Sequence, residues 1–324
     1  PAGALAHASF ARILLGGSAS VVLLFLANSV ARATGDAAIA MRALWLANGI
    51  NVVLCPALVF GWGPLPALGI DGVAIGTTAG RAAGALWAVR MLMRPGARVR
   101  LRPAHFRADG ALVARLVKLS GPATFQVFVG MASWVGLVRI MAGFGSEALA
   151  GYTIGMRIVL FALLPSFGLS NAAATMVGQA LGAQKPERAE AAVWKASLYN
   201  VVFLGAVGLA LFAFAHPLVA PFASDPAVAA HAAAALRIVA SGFAFYAYGM
   251  VLTQSFNGAG DTRTPTLINL GCFWLLELPL AWLLSHSLGL GPNGVFFALL
   301  AAFSSLAVAS AVLFRRGAWK SAAV

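Results

Sequence analysis

Long apolar stretches separated by short polar breaks dominate the chain. Cutting at the breaks leaves nine such stretches, at 12–33, 38–61, 70–93, 118–143, 148–180, 190–215, 228–257, 264–285 and 291–314. A helix needs roughly 20 mostly apolar residues to cross a bilayer. Hydrocarbon offers no hydrogen-bond partners, so a spanning segment must satisfy its backbone internally. The pattern therefore predicts an all-α integral membrane protein with about nine transmembrane helices.

The polar breaks repeat along the chain. A Gly-Asp pair at 35–36 returns at 260–261, and the sequence LGIDGV at 68–73 returns as LGPNGV at 290–295. Internal repeats in a polytopic helical protein are typical of secondary transporters, in which two similar bundles alternate access to a central site. Six predicted crossings separate the two Gly-Asp pairs, which indicates parallel repeats. Transport is the leading functional hypothesis on this ground.

Composition and charge narrow the picture further. The 324 residues are 61% hydrophobic and 10% charged, with a mean hydropathy of +0.88, which excludes a soluble globular domain. The net charge of +13 does not indicate a nucleic-acid partner, because the basic residues crowd alternate connections. The connections at 61–69, 143–147, 216–227 and 286–290 hold no Lys or Arg. This alternation predicts that the basic loops and the C-terminus are cytoplasmic.

The basic segment 94–118 is the predicted domain boundary. It is rich in arginine and ends in a sequence typical of an amphipathic helix lying on the inner leaflet. It separates three predicted helices in 1–93 from six in 119–324. If the halves are equal, three helices are missing at the front, and a chain that opens on Pro1 rather than Met agrees with a fragment.

Four motifs carry a family resemblance. Ser120-Gly121-Pro122, the sequence AGYTI at 150–154, VGQALGA at 177–183 and GAGDTRTP at 258–265 resemble, in order and spacing, the multidrug and toxic compound extrusion (MATE) family. The resemblance implies the fourth to twelfth helices of a twelve-helix, two-lobed, V-shaped exporter in the bacterial inner membrane. It also implies export of organic cations or amphipathic drugs by antiport with H⁺ or Na⁺. We expect a monomer in the lipid bilayer and no cofactor beyond the coupling ion.

Glu277 is the main candidate for a coupling or substrate carboxylate. It is the one acid placed deep in a predicted helix, two residues before Pro279, which can bend the helix. A charge at mid-membrane costs about 2.5 to 3.5 kcal/mol on insertion scales, so such residues are rarely retained without a role. The alternatives are an ion pair with a cavity arginine that only joins two helices, and exposure near an interface.

The sequence departs from the better-known patterns of the family. One branch carries acids at the positions of Gly130 and Tyr246. A DinF-like branch carries an Asn and an Asp four residues apart on the fifth helix, where this chain has Asn51 and Cys55. The coupling ion is therefore left open between H⁺ and Na⁺. Asn51 is a candidate for a polar site, or for a simple interhelical hydrogen bond worth roughly 0.6 kcal/mol.

Three further residues are candidates for the central cavity. Arg157 lies well inside its predicted helix, where it could pair with Glu277, and an arginine there keeps zwitterionic or anionic cargo open. Gln126 and Tyr246 combine an apolar setting with polar groups able to orient a ligand. Single aromatic residues in membrane helices more often pack or anchor at interfaces.

The glycine motifs are interpreted as structural. Asp261 and Thr262 are predicted to cap the helix that starts near Pro265. The structural set comprises Gly35, Asp36, Gly178, Gln179, Gly182, Gly258, Gly260 and Asp261. The five histidines are scattered and the two cysteines fall in apolar spans, so neither a metal site nor a catalytic triad is predicted.

Three classes of function follow. The first is a cation-coupled exporter of drug-like small molecules. The second is a flippase of lipid or lipid-linked saccharide from the same superfamily, which only Arg139 and Arg157 support. The third is a membrane enzyme or scaffold, which the missing catalytic constellation disfavours. We expect a transporter and not an enzyme.

Overall fold

The computed structural model describes residues 2–96 and 109–321, and every regular element among these residues is a helix. About half of the predicted basic linker, residues 97–108, lies outside the described residues. The chain divides into two compact units, Pro1–Asp109 and Gly110–Val324. The prediction of an all-α membrane protein is confirmed.

The N-terminal unit is built on a close pair of helices. Its helices are α1 (Ala2–Gly16), α2 (Ser18–Ala33), α3 (Ala37–Phe60) and α4 (Ile70–Met93). The face of α4 that packs on α3 carries a glycine every fourth residue, at 72, 76, 80 and 84. A Cβ at each of these positions would lie 2.6 to 2.8 Å from an atom of α3. Small residues at this spacing let two membrane helices approach to backbone contact.

The C-terminal unit holds the remaining helices. They are α5 (Gly110–Ala142), α6 (Ser146–Gly182), α7 (Pro186–Ala213), α8 (Ala215–Val219), α9 (Pro226–Ser241), α10 (Phe243–Gly258), α11 (Arg263–Asn269), α12 (Leu278–Trp282) and α13 (Pro292–Arg315). Wider π-helical turns, Leu270–Glu277 and Leu283–Ser287, join α11 to α12 and extend α12. Together these segments form one apolar helix from Arg263 to Ser287.

Seven described helices are long and apolar enough to cross a membrane. An eighth span arises if α9 and α10, which meet at a 58° bend, count as one. The one remaining predicted span, 70–93, corresponds to α4. This helix is long enough to cross a membrane but not apolar enough, because it carries four glycines and Arg81. All nine predicted spans are thus long enough to cross a membrane, and seven or eight of them are also apolar enough.

The end of the predicted linker differs from expectation. The segment 94–118 was predicted to end in an amphipathic helix on the inner leaflet, but α5 runs without a break from Gly110 to Ala142. Thirty-three residues of α-helix extend about 50 Å, well beyond the roughly 30 Å of hydrocarbon. Residues 110–121 are all exposed, which agrees with a segment that continues past the packed part of the unit.

The backbone repeats where the sequence does. Gly35 and Gly260 each adopt a left-handed conformation, with φ of 81° and 82°. After each of them the aspartate N–H donates to a carbonyl five residues earlier, at 2.9 Å for Asp36 and 3.0 Å for Asp261. This is the Schellman ending of a helix, which favours glycine. The repeated Gly-Asp pair is therefore a helix stop used twice.

Replacing Gly260 by alanine is expected to lower the free energy of unfolding by about 1 to 2 kcal/mol, because a Cβ is strained at positive φ. Gly205→Ala is the matched control, since this position in α7 has ordinary helical φ and open space around it. Thermal unfolding of the purified protein in detergent measures both. Equal melting temperatures for the two variants would contradict the prediction.

At the second Gly-Asp turn, the two residues predicted to cap α11 make different contacts. The Asp261 carboxylate accepts the Thr264 N–H at 3.0 Å, so it caps α11 as predicted. The Thr262 hydroxyl, also predicted to cap, instead donates to the Leu119 carbonyl at 3.1 Å. The Thr266 hydroxyl lies 2.9 Å from the Pro122 carbonyl. These threonines hold the start of α11 against α5.

The motif glycines of α6 and α10 meet each other. A Cβ on Gly178 would lie 3.1 Å from the Gly258 carbonyl, and a Cβ on Gly258 would lie 2.3 Å from the Ala174 carbonyl oxygen. Gly182 has open space around it. Gln179 lines a small pocket of about 110 Å³ together with Arg188. The two motifs are thus parts of one helix crossing.

The C-terminal segment folds back onto this crossing. Trp319 is 1% exposed and its Nε1 donates to the Phe314 carbonyl at 2.9 Å. Its ring stacks on that of Phe314, with centroids 4.5 Å apart, and Phe314 in turn meets Trp194 of α7 edge-on at 5.4 Å. The exposed pair Lys320 and Glu190 lies beside them. The segment therefore fastens the end of α13 to α7.

Candidate functional site

Glu277 is buried in the C-terminal unit with a hydroxyl partner. Its side chain is 2% exposed, and the Ser133 hydroxyl of α5 lies 2.5 Å from its Oε2. The same hydroxyl lies 3.1 Å from the Phe273 carbonyl. The prediction that Glu277 lies deep in a helix is therefore met by the structure, while its function stays a prediction.

The backbone beneath Glu277 is irregular. Leu270–Glu277 is π-helical, and Pro279 follows with no N–H to donate. π-helical turns are rare and frequently occur at functional sites. The indole N–H of Trp274 donates to the Val129 carbonyl at 3.0 Å, which holds this segment against α5. Glu277 and Ser133 are thus kept together by contacts on either side of them.

Hydroxyl and aromatic groups surround the carboxylate. Tyr152 of α6, Tyr246 of α10 and Cys272 all lie near enough to Glu277 to be influenced by its charge. Tyr152 is 1% exposed. Within residues 2–96 and 109–321, no cation pairs with Glu277 and no three His, Cys, Asp or Glu side chains gather as metal ligands. The site is a single carboxylate in an apolar, hydroxyl-bearing setting.

The other predicted residues of the C-terminal unit are only partly brought to this site. Tyr246 is half-buried near Glu277 and stacks on Phe303, with ring centroids 3.9 Å apart. Gln126 is half-buried on α5, seven residues before Ser133 and hence on the same helix face. Arg157 is exposed and forms no ion pair with Glu277 in the described part of the chain. The predicted Arg157–Glu277 pairing is not found.

Asn51 lies in the N-terminal unit and contacts α4. Its amide donates to the Thr77 hydroxyl at 3.0 Å, and the Cys55 sulfur lies 3.8 Å from the same oxygen. This is the interhelical hydrogen bond that was the simpler of the two alternatives for Asn51. Whether Asn51 also lines a ligand site stays a prediction.

The internal repeat relates Asn51 to Glu277. Gly72 of α4 packs on the backbone of Leu58, and its repeat counterpart Gly294 packs on the backbone of Leu284. Leu58 lies seven residues after Asn51, and Leu284 lies seven residues after Glu277. The two polar side chains therefore occupy equivalent positions of the two repeats.

An open groove of about 420 Å³ runs beside the Glu277 site on the C-terminal unit. Its walls come from the last turns of α5 and from α12 and the π-helical turns after it; they comprise Gly136, Arg139, Ile140, Gly143, Leu278, Trp282 and His286. The His286 Nδ1 lies 2.9 Å from the Ser285 hydroxyl, and its ring stacks on Trp282. Sequence reasoning placed His286 in a loop and did not find this groove.

Ser133 is the contact that sequence reasoning missed. A serine in an otherwise apolar helix, seven residues after Gln126, was a visible signal of a polar face on α5. The sequence gives no means of pairing it with Glu277, which lies 144 residues away.

Comparison with known proteins places these features in a family. The family model MatE matches residues 122–283, half of the chain. The probable multidrug resistance protein NorM of Thermotoga maritima is 24% identical over 97% of this chain and 68% of its own length. The FAD transporter of Shewanella oneidensis is 28% identical over 87% of this chain and 62% of its own length.

The fold is also shared with a solved structure. A MOP superfamily transporter from Pyrococcus furiosus has a TM-score of 0.88 and 22% identity over 95% of this chain and 69% of its own. The chain thus spans about two thirds of the length of the relatives it matches. From the family match, the spacing of the motifs and the shared fold, this chain belongs to the MatE family of membrane transporters.

Proposed function

We propose that this chain is part of a secondary active multidrug exporter that expels organic cations or amphipathic drugs by antiport with H⁺ or Na⁺. Family membership supports this, as does the printed name of the Thermotoga maritima relative. The absence of a catalytic constellation in the sequence supports a transporter and not an enzyme. We propose no cofactor beyond the coupling ion.

The buried Glu277 is the observation that carries the proposal. A gradient can do work only through a site whose occupancy differs between conformations. An acid held inside a membrane span by one hydroxyl, with no cation beside it in the described residues, can be neutral with a proton or a cationic ligand bound and charged without one. Glu277 is therefore assigned as the coupling or substrate carboxylate, with Ser133 positioning it.

The hydrogen bonding of Glu277 favours the proton as the coupling ion. In the described part of the chain, the carboxylate is hydrogen-bonded to one side chain, Ser133, whose hydroxyl also lies 3.1 Å from the Phe273 carbonyl. Hard cations prefer a larger shell of oxygen ligands. Sodium coupling remains the alternative that the experiment below separates.

A second candidate is the export of anionic amphiphiles. The Shewanella oneidensis relative is named an FAD transporter, and the groove of the C-terminal unit carries Arg139. This candidate predicts that an anionic fluorescent cargo competes with, or replaces, the organic cation. The flippase of lipid or lipid-linked saccharide stays the other alternative, and it rests on the same Arg139 and on the exposed Arg157.

Transport by the full-length protein tests the proposal. In inverted vesicles, accumulation of a fluorescent organic cation driven by a proton gradient is expected to fall about tenfold or more in Glu277→Gln, because the neutral amide cannot exchange the proton. The matched control is Glu147→Gln, an exposed acid in the first turn of α6. A sodium gradient that drives the wild type, where the proton gradient does not, would make Na⁺ the coupling ion. Unchanged proton-driven transport in Glu277→Gln would remove Glu277 from the mechanism.

We further propose a monomer in the bacterial inner membrane with a cytoplasmic C-terminus. The alternation of basic and non-basic connections supports this orientation. A reporter fused after residue 324 that is active only in the periplasm is expected to stay inactive, and activity there would reverse the topology.

A further inference from the structure

The groove on the C-terminal unit ends within one helical turn of the buried carboxylate. Gly136, which lines it, follows Ser133 by three residues on α5, and Leu278, which also lines it, is the residue next to Glu277. The groove and the Glu277–Ser133 pair are thus formed by the same two segments, at successive levels along them.

Leu278 contacts Gly136 where the groove comes nearest to Glu277 along the chain. A Cβ at Gly136 would lie 2.7 Å from Cδ2 of Leu278 and 3.3 Å from its Cδ1. The leucine therefore sits directly on the glycine, in space that any larger residue on α5 would fill. Below this contact both Ser133 and Glu277 are 2% exposed, although a groove of about 420 Å³ lies beside them.

The groove lies at one defined end of the unit. Arg139 lies near the end of α5, and His286 lies in the π-helical turns beside it. This end is opposite Leu119, where Thr262 ties α11 to the first part of α5. Arg263 puts the connection before α11 among the basic ones, which the proposed topology places in the cytoplasm, so the groove lies at the external end. Arg139 and His286 give its mouth a polar rim, and Leu278 an apolar bottom.

We propose that the groove is the external access path to Glu277 and that Leu278, seated on Gly136, is the gate that closes it. This rests on the proposed function in assigning Glu277 as the group that must meet the external medium. A single branched side chain is suited to the task because rotation about its own torsions, or slight widening of the π-helical turns, clears the path without unfolding either helix. Gly136 has no side chain, so Leu278 packs directly against the backbone of α5 and closes the groove there.

Chemical labelling of Glu277 tests the gate without measuring transport. Membrane vesicles holding the full-length protein are treated with a water-soluble carbodiimide and taurine, a nucleophile that does not cross the membrane, and the peptide carrying Glu277 is followed by mass spectrometry. Leu278→Ala is expected to raise the labelling rate in right-side-out vesicles about tenfold, as expected when a locally closed site is opened. Leu278→Val, which removes less of the side chain, is expected to give an intermediate rate.

Two controls make the result decisive. Leu275→Ala truncates the same residue type on the same segment at a position that is 73% exposed and outside the groove, so its labelling should equal the wild type. Glu277→Gln gives the background. Wild-type rates in both Leu278 variants, equal increases in Leu278→Ala and Leu275→Ala, or an increase confined to inverted vesicles would each overturn the gate.

The two proposals fail separately. Loss of the labelling difference with intact dependence of transport on Glu277 would leave the carboxylate in its role and place the access path elsewhere. Gated labelling together with unchanged transport in Glu277→Gln would leave the path and the gate and reject the coupling role.

Discussion

Gly258→Ala is expected to lower the free energy of unfolding of the C-terminal unit by about 3 kcal/mol. A Cβ there would lie 2.3 Å from the Ala174 carbonyl oxygen and 2.7 Å from its Cα. Both atoms belong to the backbone of α6, so no side-chain rotation relieves the clash. The two helices would have to separate, which would also disturb Gly178 in the same crossing.

Thermal unfolding in detergent measures this effect, and the motif of α6 supplies the control. Gly182 belongs to the motif VGQALGA, which also contains Gly178, but it has open space around it and no left-handed backbone conformation. Gly182→Ala is therefore the control. It is expected to melt within a few degrees of the wild type. A Gly258→Ala protein as stable as Gly182→Ala would show that the crossing is looser than described.

Trp319→Ala is expected to be the most destabilising truncation near the C-terminus, at about 3 to 5 kcal/mol. The indole is 1% exposed, stacks on Phe314 and donates to its carbonyl. Removing it leaves a cavity between α13 and α7, although the Phe314 carbonyl keeps its hydrogen bond from the Gly317 N–H. The melting temperature and the rate of proteolysis after Phe314 both report the loss.

Two control variants test whether the loss comes from the buried packing of Trp319. One removes an exposed tryptophan, and the other removes a nearby charge. Trp282→Ala removes an indole that is 55% exposed, and Lys320→Ala removes an exposed ion pair with Glu190. Exposed pairs contribute about 0 to 1 kcal/mol, so both proteins should stay close to the wild type. If Lys320→Ala is as unstable as Trp319→Ala, the segment is held by charge and not by its aromatic packing.

The polar breaks predicted the helices well because apolar length is a local property of the sequence. The predicted span 264–285 is observed as Arg263–Ser287, and 70–93 coincides with α4. The bend at Gly242 was missed because 228–257 was read as one span, although the pair Ser241-Gly242 is a sequence at which helices kink. The continuity of α5 was missed because its first turns carry the charge pattern of a surface helix.

The candidate site was predicted one residue at a time and assembled only by the structure. Glu277 could be found because an acid among apolar residues is conspicuous. Its partner Ser133 and its neighbour Tyr152 could not, since contacts between distant helices leave no spacing in the sequence. For the same reason the possible Arg157–Glu277 pair is not found in the described residues: both lie inside helices, but Arg157 occupies an exposed face of α6.

The π-helical turns before Glu277 have a consequence for how this site tolerates change in length. In the first repeat the chain runs from Asp36 to Asn51, and in the second repeat it runs from Asp261 to Glu277. The second distance is one residue longer than the first. That is the difference a single inserted residue makes when a helix absorbs it as a wider turn. Deleting one residue between Leu270 and Leu276 would close the wide turn to an α-helical one, so Glu277 would keep its position opposite Ser133, at the spacing that Asn51 has in the first repeat. A one-codon deletion would thus leave the carboxylate in place, whereas the same deletion in the regular α-helix before Asn51 would turn that side chain by about 100°.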